Sequence, residues 1–154
     1  YLGINDKASH AYNGKKTSRT KTMFKEGGIA YIYLCYGMHY LLNIVCNLEN
    51  IPHAILIRAI EPVDGIDLMN KRRNIKTNCY NLTNGPGKLC QALGITKFFN
   101  NKSLMDNDIW IEDTGYIIPD KNILSVPRIG VDYAGKDAKL PYRFYIKSNK
   151  WVSK

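Results

Sequence analysis

Residues 29–46 have the sequence IAYIYLCYGMHYLLNIVC, in which two runs of β-branched, aromatic and leucine residues flank Gly37-Met38-His39. Such runs on either side of a short segment that contains glycine are typical of a β-hairpin. We therefore predict that Ile29–Tyr36 and Tyr40–Cys46 pair as antiparallel strands around a three-residue loop, residues 37–39.

This loop length sorts the side chains of the hairpin onto two faces, because successive residues of a strand point to opposite sides. The predicted cross-strand pairs are Ile32 with Ile44, Leu34 with Leu42, and Tyr33 with Asn43. The first two pairs form an apolar face, and the third lies on the opposite face. Tyr36 is left at the hairpin tip.

Around the hairpin, the residue patterns predict further strands and two helices. The expected strands are His53–Ile60, Asp108–Glu112 and Arg143–Ile146; the expected helices are Asp64–Asn74, with Asp64 as a candidate cap, and Leu89–Leu93, which follows Asn84–Lys88 and ends at Gly94. Residues 5–28 are polar and predict an ordered or semi-ordered loop. The expected fold is a mixed α/β (α+β) single domain over residues 1–154, with a largely antiparallel sheet, a protruding hairpin and surrounding helices.

The charge distribution favours a polyanionic partner. The formal net charge is +9, and residues 68–105 contain no acidic residue. Basic residues concentrate there and in a second stretch near the N-terminus: Lys71, Arg72, Arg73, Lys76, Lys88, Lys97 and Lys102 in the first, and Lys15, Lys16, Arg19, Lys21 and Lys25 in the second. A solubility surface usually mixes both signs, so this pattern points to nucleic acid.

Several other classes of function lack their sequence signatures. The three histidines are scattered, the four cysteines form no C-x-x-C pair, and residues 85–88 lack the first glycine of a phosphate-binding loop. We expect no metal, no cofactor and no membrane span, and we interpret the cysteines as reduced structural thiols of an intracellular protein.

Three features remain ambiguous from the residues alone. Tyr31, Tyr33 and Tyr36 fit core or cross-strand packing better than contacts to bases. Asn43 interrupts an apolar strand, so its amide is either a structural hydrogen-bonding group or part of a pocket. Arg58 lies among apolar residues and needs partners, for which Glu61 is the available carboxylate, unless Arg58 belongs to a functional site.

Several segments, in order along the whole chain, resemble the alkyladenine (3-methyladenine) DNA glycosylase family. The segments are Tyr1-Leu-Gly with His10, Tyr31–Asn43, Leu56–Pro62, Asn84–Leu93, Arg128-Ile-Gly-Val131, Pro141–Tyr145 and Trp151-Val-Ser. Members of this family flip a damaged purine out of duplex DNA and hydrolyse its N-glycosidic bond, leaving an abasic site. The resemblance implies an enzyme that acts on 3-methyladenine and other alkylated or deaminated purines, such as 7-methylguanine, hypoxanthine or ethenoadenine.

The resemblance also implies roles for individual residues. Tyr1 and Tyr33 would enclose the flipped base, His10 would close the pocket, and Asn43 would exclude guanine. Tyr36 would enter the vacated base stack with Met38 in support. Arg58 and the carbonyl of Val131 would hold the attacking water. The remaining matched positions would lie along the DNA: Lys15, Thr17, Arg19, His39 and Lys88. His39 departs from the family, which commonly has Tyr there.

The family's general base is a Glu two residues before the position of Tyr1, and the sequence begins after that position. We therefore expect a domain truncated at its N-terminus and nearly inactive, since general-base catalysis contributes typically about 10²–10⁴-fold. The partner would be double-stranded DNA with damaged purines, bound by a monomer in a eukaryotic nucleus or in the bacterial cytoplasm and nucleoid. The alternatives are an inert damaged-DNA-binding module and an RNA-binding domain.

Overall fold

The computed structural model describes residues 1–76 and 79–153 and has the α+β class that the sequence predicts. A three-stranded antiparallel sheet has the order β1-β2-β3, and a second sheet pairs β4 with β5. The elements are β1 (Ile29–Cys35), β2 (His39–Val45), β3 (Ala54–Leu56), α1 (Ile66–Arg73), α2 (Pro86–Leu93), β4 (Ile123–Val126) and β5 (Arg143–Ile146), with short 3₁₀ turns between them. No helix within the described ranges is long and apolar enough to cross a membrane.

The hairpin has the predicted three-residue loop length, but the loop lies one residue earlier, at residues 36–38. The predicted register is therefore wrong by two residues. The observed pairs are Ile32 with Leu42, Leu34 with Tyr40, Tyr33 with Leu41, and Tyr31 with Asn43. A shift of two keeps every side chain on its predicted face, because the side-chain period of a strand is also two.

The turn geometry explains where the loop falls. The amide of Met38 donates to the carbonyl of Cys35 at 3.0 Å, and both residues between them have positive φ, 50° at Tyr36 and 70° at Gly37. Glycine adopts this backbone conformation without steric cost, whereas tyrosine does so only where its surroundings impose it. The turn is thus centred on Tyr36 and Gly37 rather than on Met38.

The other elements correct several boundaries. The predicted strand His53–Ile60 is regular only at Ala54–Leu56, and Asp108–Glu112 is no strand, since Trp110 forms a single bridge with Met105. Helix α1 begins after Gly65, so Asp64 does not cap it. Helix α2 begins at Pro86, where the missing N–H of proline costs nothing because the first amides of a helix have no partner within it. The helix ends, as predicted, at Gly94, which has the left-handed backbone conformation.

Apolar side chains pack on both faces of the hairpin sheet. On one face, Ile32 and Leu42 pack against Leu89 and Cys90 of α2. On the other face, Tyr31 and Val45 belong to a cluster with Met23, which the polar segment 5–28 contributes. The predicted loop is consequently ordered, as a series of turns that covers the sheet.

A buried ion pair joins this N-terminal segment to the chain near residue 128. The guanidinium of Arg128 donates to both carboxylate oxygens of Asp6, from Nη1 at 2.5 Å and from Nη2 at 2.9 Å. The two side chains are only 6% and 1% exposed. The carboxylate also accepts the amides of Leu2 and Ala8. Burial alone would raise the pKa of Asp6, but the hydrogen bonds from Arg128 and from these amides outweigh it and hold the pKa below 3.8.

We predict that Asp6→Asn lowers the free energy of unfolding by about 3–5 kcal/mol, because it leaves a buried guanidinium without its counter-charge. The exposed pair between Lys102 and Asp108 supplies the control, and Asp108→Asn should cost less than about 1 kcal/mol. Urea unfolding at neutral pH measures both variants. Equal effects would contradict the importance assigned to the buried pair.

The same pair predicts a pH dependence. Since the folded pKa of Asp6 lies below its ordinary value, the stabilisation is complete above 3.8 and is lost as the pH falls through the folded pKa. The difference in stability between the wild-type protein and Asp6→Asn should therefore shrink below pH 3.8.

Candidate active site

One cavity of about 430 Å³ opens beside the hairpin and brings together most of the residues predicted to act on a base. Of the predicted site residues it is lined by Tyr1, His10, Arg19, Tyr33, Tyr36, Asn43, Arg58 and Val131. Its volume lies within the range of sites that accept small molecules. Its walls come from the N-terminal segment, the hairpin sheet and the chain that follows Arg128.

The tyrosines of β1 and of the turn that follows it lie in three environments. Tyr31 is 1% exposed and belongs to the core, as the packing interpretation expects, although its hydroxyl also borders the cavity. Tyr33 is half-buried and forms a wall of the cavity, and burial raises the pKa of its hydroxyl. Tyr36 is 86% exposed at the hairpin tip. Packing alone therefore does not account for Tyr33 and Tyr36.

Asn43 is both a structural amide and a residue of the cavity. It is 3% exposed, and its Nδ2 donates to the carbonyl of Tyr31 at 3.2 Å. This bond follows from the observed pairing of Tyr31 with Asn43 and fixes the orientation of the amide. The two interpretations that the sequence left open are thus compatible.

Within the described residues, Arg58 forms no ion pair with a carboxylate. Glu61, the partner suggested by the sequence, instead accepts from Nδ2 of Asn149 at 3.0 Å. Across residues 1–76 and 79–153 the ion pairs are those of Lys102 with Asp108 and of Arg128 with Asp6. Arg58 therefore presents a half-buried guanidinium to the cavity, and burial lowers its pKa.

Tyr1 is held from two sides. Its backbone nitrogen and oxygen both bond to Ala54, at 3.0 and 3.2 Å, which is the pattern of an antiparallel pair at the edge of β3. Its ring lies 5.1 Å from the guanidinium carbon of Arg128, which also lies 5.4 Å from the ring of Tyr142. The buried ion pair with Asp6 thereby fixes the Tyr1 wall of the cavity.

Val131 follows Arg128 by three residues and is 4% exposed. Its carbonyl accepts the amide of Ala134 at 2.9 Å, and a carbonyl oxygen has a second lone pair for another donor. Tyr133, two residues later, also lines the cavity and donates its hydroxyl to the carbonyl of Ala8 at 3.2 Å. The sequence analysis missed Tyr133, although its position just after the Arg128–Val131 motif could have suggested it.

The other predicted site residues lie outside this cavity. Lys15 and Thr17 are exposed on the N-terminal segment, and Met38 and His39 are exposed at the hairpin. His39 packs against Gly87, where an added Cβ would come within 3.0 Å of the imidazole. Lys88 bonds to the side-chain oxygens of Asn81 and, at 2.9 Å, Asn84. In the part of the chain that the structure describes, no cluster of three His, Cys, Asp or Glu residues could hold a metal ion.

Comparison with known proteins finds relatives along nearly the whole chain. The chain is 45% identical over its whole length to a protein of Alkaliphilus oremlandii, of which it covers 79%. It is 43% identical over its whole length to one of Clostridium perfringens, again covering 79%, and 48% identical over 97% of its length to one of Chlamydia felis, covering 76%. All three carry the name "Putative 3-methyladenine DNA glycosylase".

The family comparison covers nearly the same residues. The model of the methylpurine-DNA glycosylase (MPG) family matches residues 1–150. Both the match and the relatives span the cavity and the hairpin. The chain therefore belongs to the methylpurine-DNA glycosylase family, which makes it a DNA-repair glycosylase of alkylated bases.

Proposed function

We propose that this glycosylase flips an alkylated purine out of duplex DNA into the cavity beside the hairpin and hydrolyses its N-glycosidic bond. The observation that carries the proposal is the convergence of Tyr1, Tyr33, Asn43 and Arg58 on one cavity. Aromatic walls suit a flat base, and their electron-rich faces attract the positive charge that alkylation gives a purine.

Selectivity rests on Asn43 in this proposal. Its amide is buried and fixed by the hydrogen bond to Tyr31, so it cannot move away from a group that meets it. The exocyclic amine of guanine would clash with the amide, whereas adenine and hypoxanthine carry no amine at that edge. The site would thus reject undamaged guanine by a penalty rather than by weaker attraction.

Arg58 and the Val131 carbonyl would hold the attacking water. Arg58 is available for this because no carboxylate within the described ranges neutralises it, and the Val131 oxygen has a free lone pair. The water oxygen forms a bond to the anomeric carbon of the sugar while the glycosidic bond breaks. The purine leaves with the bonding electrons, and the water's proton passes to a general base.

The geometry around Tyr1 indicates where a general base would stand. Tyr1 pairs with Ala54, so a chain that continued upstream along β3 would bring the residue two positions before Tyr1 beside Leu56. Leu56 pairs with Asn43, and Asn43 with Tyr31, so these side chains form one row across the cavity side of the sheet. A carboxylate at that upstream position would extend the row.

Space is present along this open edge of β3. A groove of about 700 Å³ runs there and is lined in part by Ile55, Ile57, Phe144 and Arg58. Ile55 is 53% exposed and Phe144 65% exposed. An added strand would cover this apolar surface while delivering the acid to the cavity. In this proposal, a polypeptide without that carboxylate binds lesions with little or no excision.

The first prediction tests catalysis. A chain extended along β3 with a Glu two residues before Tyr1 should release free base from duplex DNA that contains a methylated purine, because the carboxylate can deprotonate the water. Replacing that Glu with Gln should abolish release and preserve binding. Chromatographic detection of the released base, with gel-shift binding in parallel, measures both properties.

Two outcomes contradict this assignment. Excision at an enzyme-like rate by residues 1–154 alone would mean that an acid within them is the base. Tight binding without release by the extended chain would favour a damaged-DNA-binding module, and preference for RNA over duplex DNA would favour an RNA-binding domain.

The second prediction concerns the hairpin tip. Tyr36→Ala should weaken binding of lesion-containing duplex by about 1–3 kcal/mol, because an inserted aromatic ring replaces part of the lost base stacking. Thermal stability should barely change, since Tyr36 is 86% exposed. Tyr116→Ala is the matched control, since Tyr116 is 82% exposed and does not line the cavity. A core-sized loss of stability in Tyr36→Ala would show a structural role instead.

The third prediction concerns discrimination. In the extended chain, Asn43→Ala should permit excision of undamaged guanine, while losing about 1 kcal/mol of stability with the hydrogen bond to Tyr31. Asn100 provides a matched control, because its Oδ1 accepts the amide of Ile32 at 2.9 Å and it does not line the cavity. Asn100→Ala should lose stability alone. Guanine release that is equally low in both variants would leave Asn43 with a structural role only.

A further inference from the structure

Arg19 lies inside the mouth of the cavity, although the family resemblance implies a place along the DNA backbone. Its guanidinium carbon is 4.8 Å from the centroid of the Tyr33 ring, and its Nη2 lies 3.3 Å from Nε2 of His10. Arg19 is exposed and lines the cavity together with both residues. An exposed cation therefore covers an aromatic wall of the site.

The hydrogen bonds around His10 define its tautomer. A guanidinium only donates, so Nε2 of His10 must accept from Arg19. Nδ1 then carries the proton and donates to the hydroxyl of Tyr31 at 2.9 Å. Burial, with a further contribution from the charge of Arg19, lowers the pKa of His10 to about 4, so the imidazole is neutral at physiological pH. Arg19 thus occupies both the Tyr33 ring face and the free acceptor of His10.

In the proposed function, on which this inference rests, a flipped base would contact the ring face of Tyr33 and Nε2 of His10. Two cations over one ring repel each other, and the cavity offers Arg19 no carboxylate: its lining residues include none. A neutral purine can share the mouth with Arg19 at less electrostatic cost than a cationic purine.

We propose that the guanidinium of Arg19 occupies the base pocket when no base is bound, and that Arg19 sets the preference of the pocket between charged and neutral purines. An entering cationic purine displaces the guanidinium from Tyr33 and His10. In DNA, a phosphate beside the flipped nucleotide then binds the displaced guanidinium and compensates for its lost contacts. An isolated nucleoside offers no such phosphate. Arg19 is accordingly a specificity residue and takes no part in bond cleavage.

Binding of isolated nucleosides tests this without a general base. Adenosine and 7-methyladenosine are a matched pair, since the methyl group gives the second a fixed positive charge. Titration of each into the wild-type protein and into Arg19→Gln, followed by NMR shifts of cavity residues, gives the dissociation constants. Arg19→Gln should bind 7-methyladenosine roughly twofold to fivefold more tightly, in line with one exposed cation–π contact, and adenosine almost unchanged.

Lys16→Gln is the matched control. Lys16 belongs to the same basic segment, and its ammonium lies 5.2 Å from the centroid of the Phe24 ring, outside the cavity. Lys16→Gln removes the same charge as Arg19→Gln, but outside the cavity. It should therefore leave the ratio of the two nucleoside affinities as in the wild-type protein. An equal change in both variants would attribute the effect to net charge and overturn the proposal.

Two further measurements distinguish the possible failures. The pKa of His10, followed by NMR, should rise in Arg19→Gln because a neighbouring positive charge is removed, and it should stay unchanged in Lys16→Gln. For undamaged duplex, Arg19→Gln should reduce the slope of log affinity against log salt by about 0.9, the value for one lost phosphate contact.

An unchanged His10 pKa would contradict the position of Arg19 beside His10, and an unchanged salt slope would contradict its position at a DNA phosphate. Either result overturns the proposed movement of Arg19 between the two positions. Binding of both nucleosides with an unchanged ratio overturns the proposal alone, whereas binding of neither nucleoside to either protein overturns the base pocket with it.

Discussion

The buried ion pair between Asp6 and Arg128 is the constraint on which the site depends. It connects residues 122 positions apart in the sequence through two charge-assisted hydrogen bonds. Asp6 also accepts the amide of Leu2, which fixes the chain next to Tyr1, and Arg128 donates to the carbonyl of Asp137 at 3.0 Å. Tyr1 and Val131 therefore form one wall of the cavity because this pair holds their segments together.

Such a pair is expensive to bury, since two charges must leave water. Apolar residues of similar volume could join the same segments at less cost, but they would not offer the directional hydrogen bonds of the pair. The planar guanidinium fits the carboxylate in one arrangement and stands against the rings of Tyr1 and Tyr142. The charge pair thus trades stability for a defined position of Tyr1.

The rest of the site combines buried and exposed residues. Asn43 and Tyr31 are buried in the hairpin sheet, where pairing and core packing fix them. Arg19 and Tyr36 are exposed at the opening, where a DNA ligand would arrive. Tyr36 also has a φ of 50°, a strained conformation for a non-glycine residue, which costs of the order of 1–3 kcal/mol and is frequent at functional sites. In the proposed function, selectivity and entry would therefore be carried by different kinds of residue.

The sequence by itself determined the fold class, the hairpin with its two faces, the end of α2 at Gly94, and the family. These follow from local patterns: strand periodicity, glycine at a helix end, and motifs of consecutive residues. The sequence did not determine the register of the hairpin, because moving the loop by one residue shifts the pairing by two and leaves each face unchanged. Only backbone hydrogen bonding and the left-handed turn at Tyr36 and Gly37 decided it. Tertiary structure alone also showed that Asp6 is the partner of Arg128, that Glu61 bonds to Asn149 rather than to Arg58, and that Arg19 lies over Tyr33. Nothing in a sequence pattern indicates which distant charges meet, because that depends on how the segments pack.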